Sequence, residues 1–288
     1  MAEEGSSAPG RLVVVATPIG NLDDLAPRAR SALADADRVL AEDTRRTRQL
    51  LTHLGIEGKP IERLDAEVEH RGPEARARLV GRLVHGERLV LVSDAGTPVV
   101  SDPGAALVRD AAASGIIVEP IPGPSAVTTA LMASGLSGER FRFFGFLPRH
   151  GKRRREVLSE LRETSETVVF FEAPSRMAAT LRDLETLAPM RQAVIARELS
   201  KVHEEMVRGT VAELIRREGD RTWQGELTVV LGPRVSVETV RWDDETLDAR
   251  IDELLASGMR AKDVAKALAL DSGHKSREIY ARIVERKS

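Results

Sequence analysis

Short runs of Val, Leu and Ile recur along this chain, each followed by a stretch of helical composition, and this alternation limits the fold more than any other feature. The runs are RLVVVA (11–16), RVLA (38–41), RLVLV (88–92) and IIVEPI (116–121). Continuous apolar residues, rather than every second one, suit strands covered on both faces. Segments rich in Ala, Leu, Arg and Glu at about 24–35, 44–54, 73–85 and 103–114 predict helices between them. A βαβα order of this kind builds an open, mostly parallel sheet.

The segment PIPGPSA (120–126) breaks the pattern and precedes an apolar helical stretch, AVTTALMASGL. Strands are then predicted at 141–146, 167–171, 193–197, 205–209 and 226–231, with helices at about 151–163, 175–187 and 210–217. The last two strands lack a full-length helix between them, so this half is expected to mix antiparallel strands with helices. The chain therefore divides into a first α/β domain at 11–122 and a second at 123–234. A polar linker (235–246) leads to three short helices at 247–257, 260–269 and 275–284, read either as a helix-turn-helix-like module or as a simple helical cap. Residues 1–10, MAEEGSSAPG, carry no basic or apolar core and are expected to be a frayed leader, not a secretory signal.

Composition narrows the chemistry. A length of 288 residues suits two domains, and 42% hydrophobic with 31% charged residues suits a soluble globular protein. No apolar run approaches the roughly 18 residues that span a bilayer, so no membrane association is expected. The absence of cysteine excludes disulfides, cysteine-ligated metals and a thiol nucleophile. The six histidines form no metal-like i,i+3 or i,i+4 pair, so no protein-bound metal is expected. The formal net charge is −2, yet RHGKRRR (149–155) holds five Lys/Arg and no acid. Residues 258–288 hold eight Lys/Arg against four acids, a local excess of +4. Such patches bind polyanions even on a nearly neutral chain.

Four loops at strand ends concentrate Gly, Pro and small polar residues: ATPIGNLDDL (16–25), SDAGTPVVSDPG (93–104), PGPSA (122–126) and FEAPSR (171–176). One alone would be an ordinary turn. Four at the carboxyl ends of strands predict a small-molecule cleft between the two domains. Neither a G-x-x-x-x-G-K-[ST] nor a G-x-G-x-x-G signature is present, so spacing names no cofactor. In AEDTRRTRQLL (41–51), Glu42 and Asp43 precede Arg45 and Arg46; this fits a solvated helix start or a site facing phosphate and ribose. ARELSK gives Arg197, Glu198 and Lys201 with the same two readings. The run 149–155 is either a solvated face or a flexible loop gripping RNA through Arg149, Lys152, Arg153, Arg154 and Arg155. Aromatics at 3% disfavour a stacking platform for bases.

The blocks TPIGNLDDL, AEDTRRTRQLL, SDAGTPVVSDPG, IPGPSAV, FGFLPR, FFEAPSR and ARELSKVHEE occur here in one order across residues 11–232. Together they closely resemble the ribosomal RNA small-subunit methyltransferase I family, within the tetrapyrrole-methylase (class III methyltransferase) superfamily. The resemblance implies two α/β domains with S-adenosylmethionine in the cleft between them, and a homodimer. It implies cofactor contacts at Pro18, Asp94, Ala95, Gly96, Ser125 and Ala126, with Phe171, Leu199 and Thr228 from the second domain. It implies 2′-O-methylation of a cytidine ribose in 16S ribosomal RNA, free or in the small subunit, in the cytoplasm, with Arg45 and Arg46 beside the RNA. No histidine lies in a motif loop, so Lys201, Asp43 and Glu198 are the expected candidates for taking the hydroxyl proton; a lysine could do so only with a lowered pKa. Two rivals stay open: a same-fold methyltransferase acting on a tetrapyrrole or other small acceptor, and a non-catalytic RNA-binding ribosome-assembly protein.

Overall fold

The computed structural model of the chain describes residues 10–67, 72–234, 242–256, 258–269 and 272–286. The expected leader up to residue 9 and the linker residues 235–241 lie outside them. Contacts divide the chain into two compact units, with the boundary after Arg234.

In the larger unit the first sheet comprises β1 (Arg11–Val15), β2 (Arg38–Ala41), β3 (Ile61–Arg63), β4 (Arg88–Val92) and β5 (Ile117–Ile121), in the order β3-β2-β4-β1-β5. Every pairing is parallel. The crossovers are α1 (Pro27–Ala34), α2 (Thr44–His53), α3 (Pro73–Val84) and α4 (Ala105–Ala113). Period-two geometry sends Val13, Val15, Val39, Val90 and Val92 to one face, against Ala29, Leu33 and Leu51. The intervening Leu12, Leu40, Leu89 and Leu91 pack on the other, against Leu79, Leu83 and Leu107. Both faces are buried, which is why these strands read as unbroken apolar runs. Full burial of each such side chain stabilises by roughly 1.5–3 kcal/mol. The three-residue β3 was not expected from the sequence; it is too short, and too polar at Glu62 and Arg63, to stand out.

The second sheet is mixed. It comprises β6 (Phe141–Phe146), β7 (Thr167–Glu172), β8 (Gln192–Arg197), β9 (Glu205–Thr210) and β10 (Leu227–Leu231), in the order β6-β7-β10-β8-β9. β10 runs antiparallel to both β7 and β8. One face packs under α6 (Gly151–Glu163), α7 (Pro174–Leu187) and α8 (Val211–Glu218). The other packs on α5 (Ala126–Ser134) and on Ile19 from the first half. The second sheet thus buries its inner face partly on residues the first half supplies, and residues up to Arg234 form one compact unit.

The smaller unit holds α9 (Asp244–Ala256), α10 (Ala261–Leu268) and α11 (Ser276–Glu285) around Leu247, Ile251, Val264, Leu268, Ile279 and Ile283. Its basic excess is partly cancelled at home. Arg282 pairs with Asp244 and Asp248, and Arg286 with Asp248 and Asp252. Those acids lie before residue 258, so counting charge over the tail alone overstated what is available to a polyanion.

Candidate active site

The carboxyl ends of β1, β2, β4 and β5 face the same way, and their loops are fastened to one another. Thr17 and Gly96 exchange backbone hydrogen bonds of 2.8 and 3.0 Å. The Thr97 hydroxyl donates to the Pro124 carbonyl at 3.1 Å, tying the second loop to the third. Asp43 accepts from the Arg45 amide at 2.8 Å and so caps α2, while its own amide donates to Asp94 at 2.8 Å. Arg46 lies 3.8 Å from the same Asp94 carboxylate.

Glycines in these loops allow close approach. Gly96 has φ +86°, and a Cβ there would come 3.2 Å from Ile19 Cγ2. Its N–H and carbonyl are already taken by Thr17, so Gly96 supplies the bend, not an open donor, and a side chain there would strike Ile19. Gly20 brings the halves together: a Cβ would sit 2.5 Å from Lys201 Cγ and 2.8 Å from the Leu199 carbonyl. Beside it the Asn21 amide donates to the Ser200 hydroxyl at 3.1 Å, and that hydroxyl donates to Asp24.

Two adjoining cavities open where these loops meet the ends of β6, β7 and β10. The larger, about 400 Å³, is lined by Asp94, Ala95, Ala126, Phe171 and Thr228 among others. The smaller, about 340 Å³, is lined by Pro18 and Lys201, and the two share Ile19, Arg46, Asp94, Ala95 and Glu226. Six of the nine residues expected to hold the cofactor therefore border one connected space. Ser125 is the N-cap of α5, and its side chain makes no capping bond, which leaves the first-turn amides beside Ala126. Leu199 is buried in the core beside Ile19 and acts by packing. Phe171 pairs in register with Thr228 and stacks edge-on against Phe143, with ring centres 5.0 Å apart. Phe146 tilts onto it at 5.5 Å.

The acids differ sharply in their surroundings. Glu172 is fully buried, 2.5 Å from Arg176 and 2.7 Å from the Thr180 hydroxyl. Glu198 accepts from the Glu226 amide at 2.8 Å and from Lys201 at 2.9 Å. Burial works against its charge, but those bonds win and its carboxyl stays below the ordinary range. Asp43 is also held low, chiefly by the Arg45 amide. Burial similarly opposes the charge of Lys201, yet its bonds to Glu198 and Glu226, 2.9 and 3.2 Å away, leave its pKa raised. The lowered pKa that a lysine base requires is absent: Lys201 is a held cation.

Two acids move the other way. Glu42 is raised, first by burial and then by Asp94 and Asp65. Asp102 is raised to about 6, first by burial and then by Glu42, against a hydrogen bond from Ser93. Asp102 lines the larger cavity. It stood unremarked inside SDAGTPVVSDPG; what marks it is depth beside other acids, which no spacing reveals.

The basic residues also sort by environment. Arg154 is occupied: it donates to Asp183, to the Thr180 hydroxyl and to the Pro148 carbonyl, and its side chain is only 12% exposed. From Gly151 onward the run forms the first turns of α6 and not a loop. Arg149, Lys152, Arg153 and Arg155 are exposed. On α2 the exposed side chains are Arg45, Arg46, Arg48, Gln49, Thr52 and His53, with no acid in the helix.

The donor set suits S-adenosylmethionine. Phe171, Phe146 and Ile19 offer apolar cover for adenine, and the amides opening α5 suit a carboxylate. Clustered carboxylates accept from ribose hydroxyls and an ammonium, and they favour a sulfonium cation.

This architecture is that of a tetrapyrrole methylase, and the family model for tetrapyrrole (corrin/porphyrin) methylases matches residues 11–215. Diphthine synthase superposes with a TM-score of 0.61 at 19% identity, over 77% of this chain and 90% of its own. A uroporphyrin III C-methyltransferase from Thermus thermophilus gives 0.54 at 19%, over 79% and 100%. Those likenesses establish the fold. The ribosomal RNA small subunit methyltransferase I of Halalkalibacterium halodurans is 42% identical over 94% of this chain and 93% of its own length. That of Mycobacterium bovis is 44% identical over 96% and 95%. The Thermotoga maritima enzyme of the same name is 44% identical over 223 residues, 77% of this chain but 98% of its own. The chain belongs to the ribosomal RNA small subunit methyltransferase I family.

Proposed function

We propose that this protein transfers a methyl group from S-adenosylmethionine to the ribose 2′-hydroxyl of a cytidine in 16S ribosomal RNA. The observation that carries the reading is the convergence of four glycine- and proline-rich loops on one acid-lined, part-apolar cavity. The relatives' shared name, at over 40% identity along nearly their whole length, supports an RNA acceptor over a tetrapyrrole. The cofactor supplies an activated methyl, and the protein's task is to hold it in line with the attacking oxygen.

Pro18, Asp94, Ala95, Ala126, Phe171 and Thr228 form the cofactor's immediate walls in this reading, while Gly96, Ser125 and Leu199 shape the loops behind them. Arg45 and Arg46, joined by Arg48, present an acid-free helical face to phosphates, and exposed Arg149, Lys152, Arg153 and Arg155 supply a second basic run. Lys201 orients Glu198 and Glu226 at the mouth. The enzyme acts as a homodimer in the cytoplasm, where small subunits are assembled; Met132, 83% exposed on α5, offers apolar surface for the partner copy. Tritium transfer from labelled cofactor tests the whole reading. Label is expected in small subunits or free 16S RNA; label in a tetrapyrrole alone, or in no acceptor, overturns it. Sedimentation equilibrium at micromolar concentration should give twice the 31.5 kDa chain mass.

A further inference from the structure

We propose that Asp102 is the catalytic base, taking the proton from the attacking hydroxyl; this rests on the methyl-transfer reading above. The carboxylates that face the larger cavity are Asp94, Asp102, Glu172 and Glu226. Three are committed. Asp94 accepts from the Asp43 amide and lies near Arg46, Glu172 is clamped by Arg176 and Thr180, and Glu226 pairs with Lys201. Among the described residues Asp102 has no cationic partner. Its one neutral donor is Ser93, whose single hydroxyl proton is shared with the Gly96 carbonyl 3.0 Å away.

Among the described residues, charged groups face Asp102 from both sides of the cavity. Glu42 and Asp94 stand on its own side, Glu172 and Glu226 across the cavity, and Arg46 at the rim, held by Asp94. Among these the acids outnumber the one cation, which adds to burial in raising Asp102 to about 6. A carboxyl at that value is largely ionised at pH 7, yet more basic than an exposed aspartate. In the step, a lone pair of the ribose oxygen forms the new O–C bond as the methyl C–S bond breaks. The electron pair of that bond stays on sulfur, giving the neutral thioether. The hydroxyl proton passes to an Asp102 oxygen and then to water, restoring the carboxylate.

The test is single-turnover methyl transfer to small subunits, comparing Asp102→Asn with the wild type across pH 5–9. A base contributes about 10²–10⁴-fold, so at least a hundredfold loss is expected. Cofactor affinity by calorimetry should stay within a few-fold. The wild-type rate should rise with pH through an apparent pKa near 6, and Asp102→Asn should lack that limb. Ser93→Ala keeps the carboxylate but removes the bond that holds its pKa down, so it should move the limb to higher pH. Asp102→Asn retaining a third of the rate, or retaining the limb, overturns the proposal, as does an unmoved limb in Ser93→Ala. A wild type that methylates no RNA defeats the functional reading instead, and the two failures are told apart by the wild-type control.

Discussion

The two five-stranded sheets of the larger unit meet at one cavity but bring opposite kinds of acid to it. In the first sheet all strands run parallel, so every carboxyl end and every strand-to-helix loop opens on the same edge. Glu42, Asp94 and Asp102 crowd there, and two of the three are pushed up by burial and by one another. In the second, mixed sheet, Glu172 and Glu198 are matched with Arg176 and Lys201. Paired acids hold shape, and an acid without a cationic partner is left to exchange a proton. The second sheet is a frame, and the reactive groups sit on the first.

The sharpest way to break this contrast is to remove a charge from each sheet. Glu172→Gln deletes one half of a buried ion pair and should cost about 3 kcal/mol of stability, read by denaturant unfolding. Asp102→Asn should act with the opposite sign. The folded-state pKa of Asp102, about 6, lies above its unfolded value near 3.8, so ionisation opposes folding, and the cost is complete above pH 6. Melting temperature at pH 8 should therefore rise in Asp102→Asn, and the gap should close as pH falls from 6 towards 4. Equal and like-signed effects would erase the distinction between frame and reactive edge.

Smaller effects sharpen it. Gly20→Ala would thrust a Cβ into Lys201 and the Leu199 carbonyl, prising the two edges apart. Displacements near 1 Å can cost about a hundredfold, so kcat/KM should fall by roughly that factor, and melting temperature should fall with it because the clash is partly with backbone. Lys201→Ala should lower kcat/KM only about tenfold and leave the shape of the pH–rate profile intact; loss of the acid limb there would return the base to the second sheet. The smallest effect separates two neighbouring arginines. Arg153→Ala should reduce the log–log salt slope of RNA binding by about 0.7, whereas Arg154→Ala should lower melting temperature and leave the slope alone.

Most of the fold could be read from the chain because its strands are buried on both faces. RLVVV and RLVLV carry no polar residue after the first, and the helices beside them start at Pro27, at Pro73 and just after Gly104. β3 escaped because three residues cannot establish a period. The loops of the site were visible as Gly/Pro clusters, and six residues read from them border the cavity. The chemistry was less visible. Lys201 and Glu198 looked alike as strand-end ions; only their mutual distance of 2.9 Å shows that each satisfies the other. Arg154 and Arg153 are adjacent in one run, and which one points inward depends on where α7 places Asp183. Asp102 owes its character first to burial and then to Glu42, sixty residues away in the chain, and both exist only once β2 and β4 lie side by side.

The segment that carries Asp102 is itself under load. Val99 and Ser101 adopt left-handed backbone, φ 74° and 65°, a region that side chains resist and a β-branched valine resists most. Each such residue costs of order 1–3 kcal/mol. A small acid on a twelve-residue loop would otherwise swing, and among the described residues nothing ionic anchors it. A cable under tension is stiff without being braced, and prestress of this kind lets the loop fix a carboxyl in place while leaving its oxygens open. Exchange of Ser101 for glycine would slacken the cable; the acid would remain, and its aim would be lost.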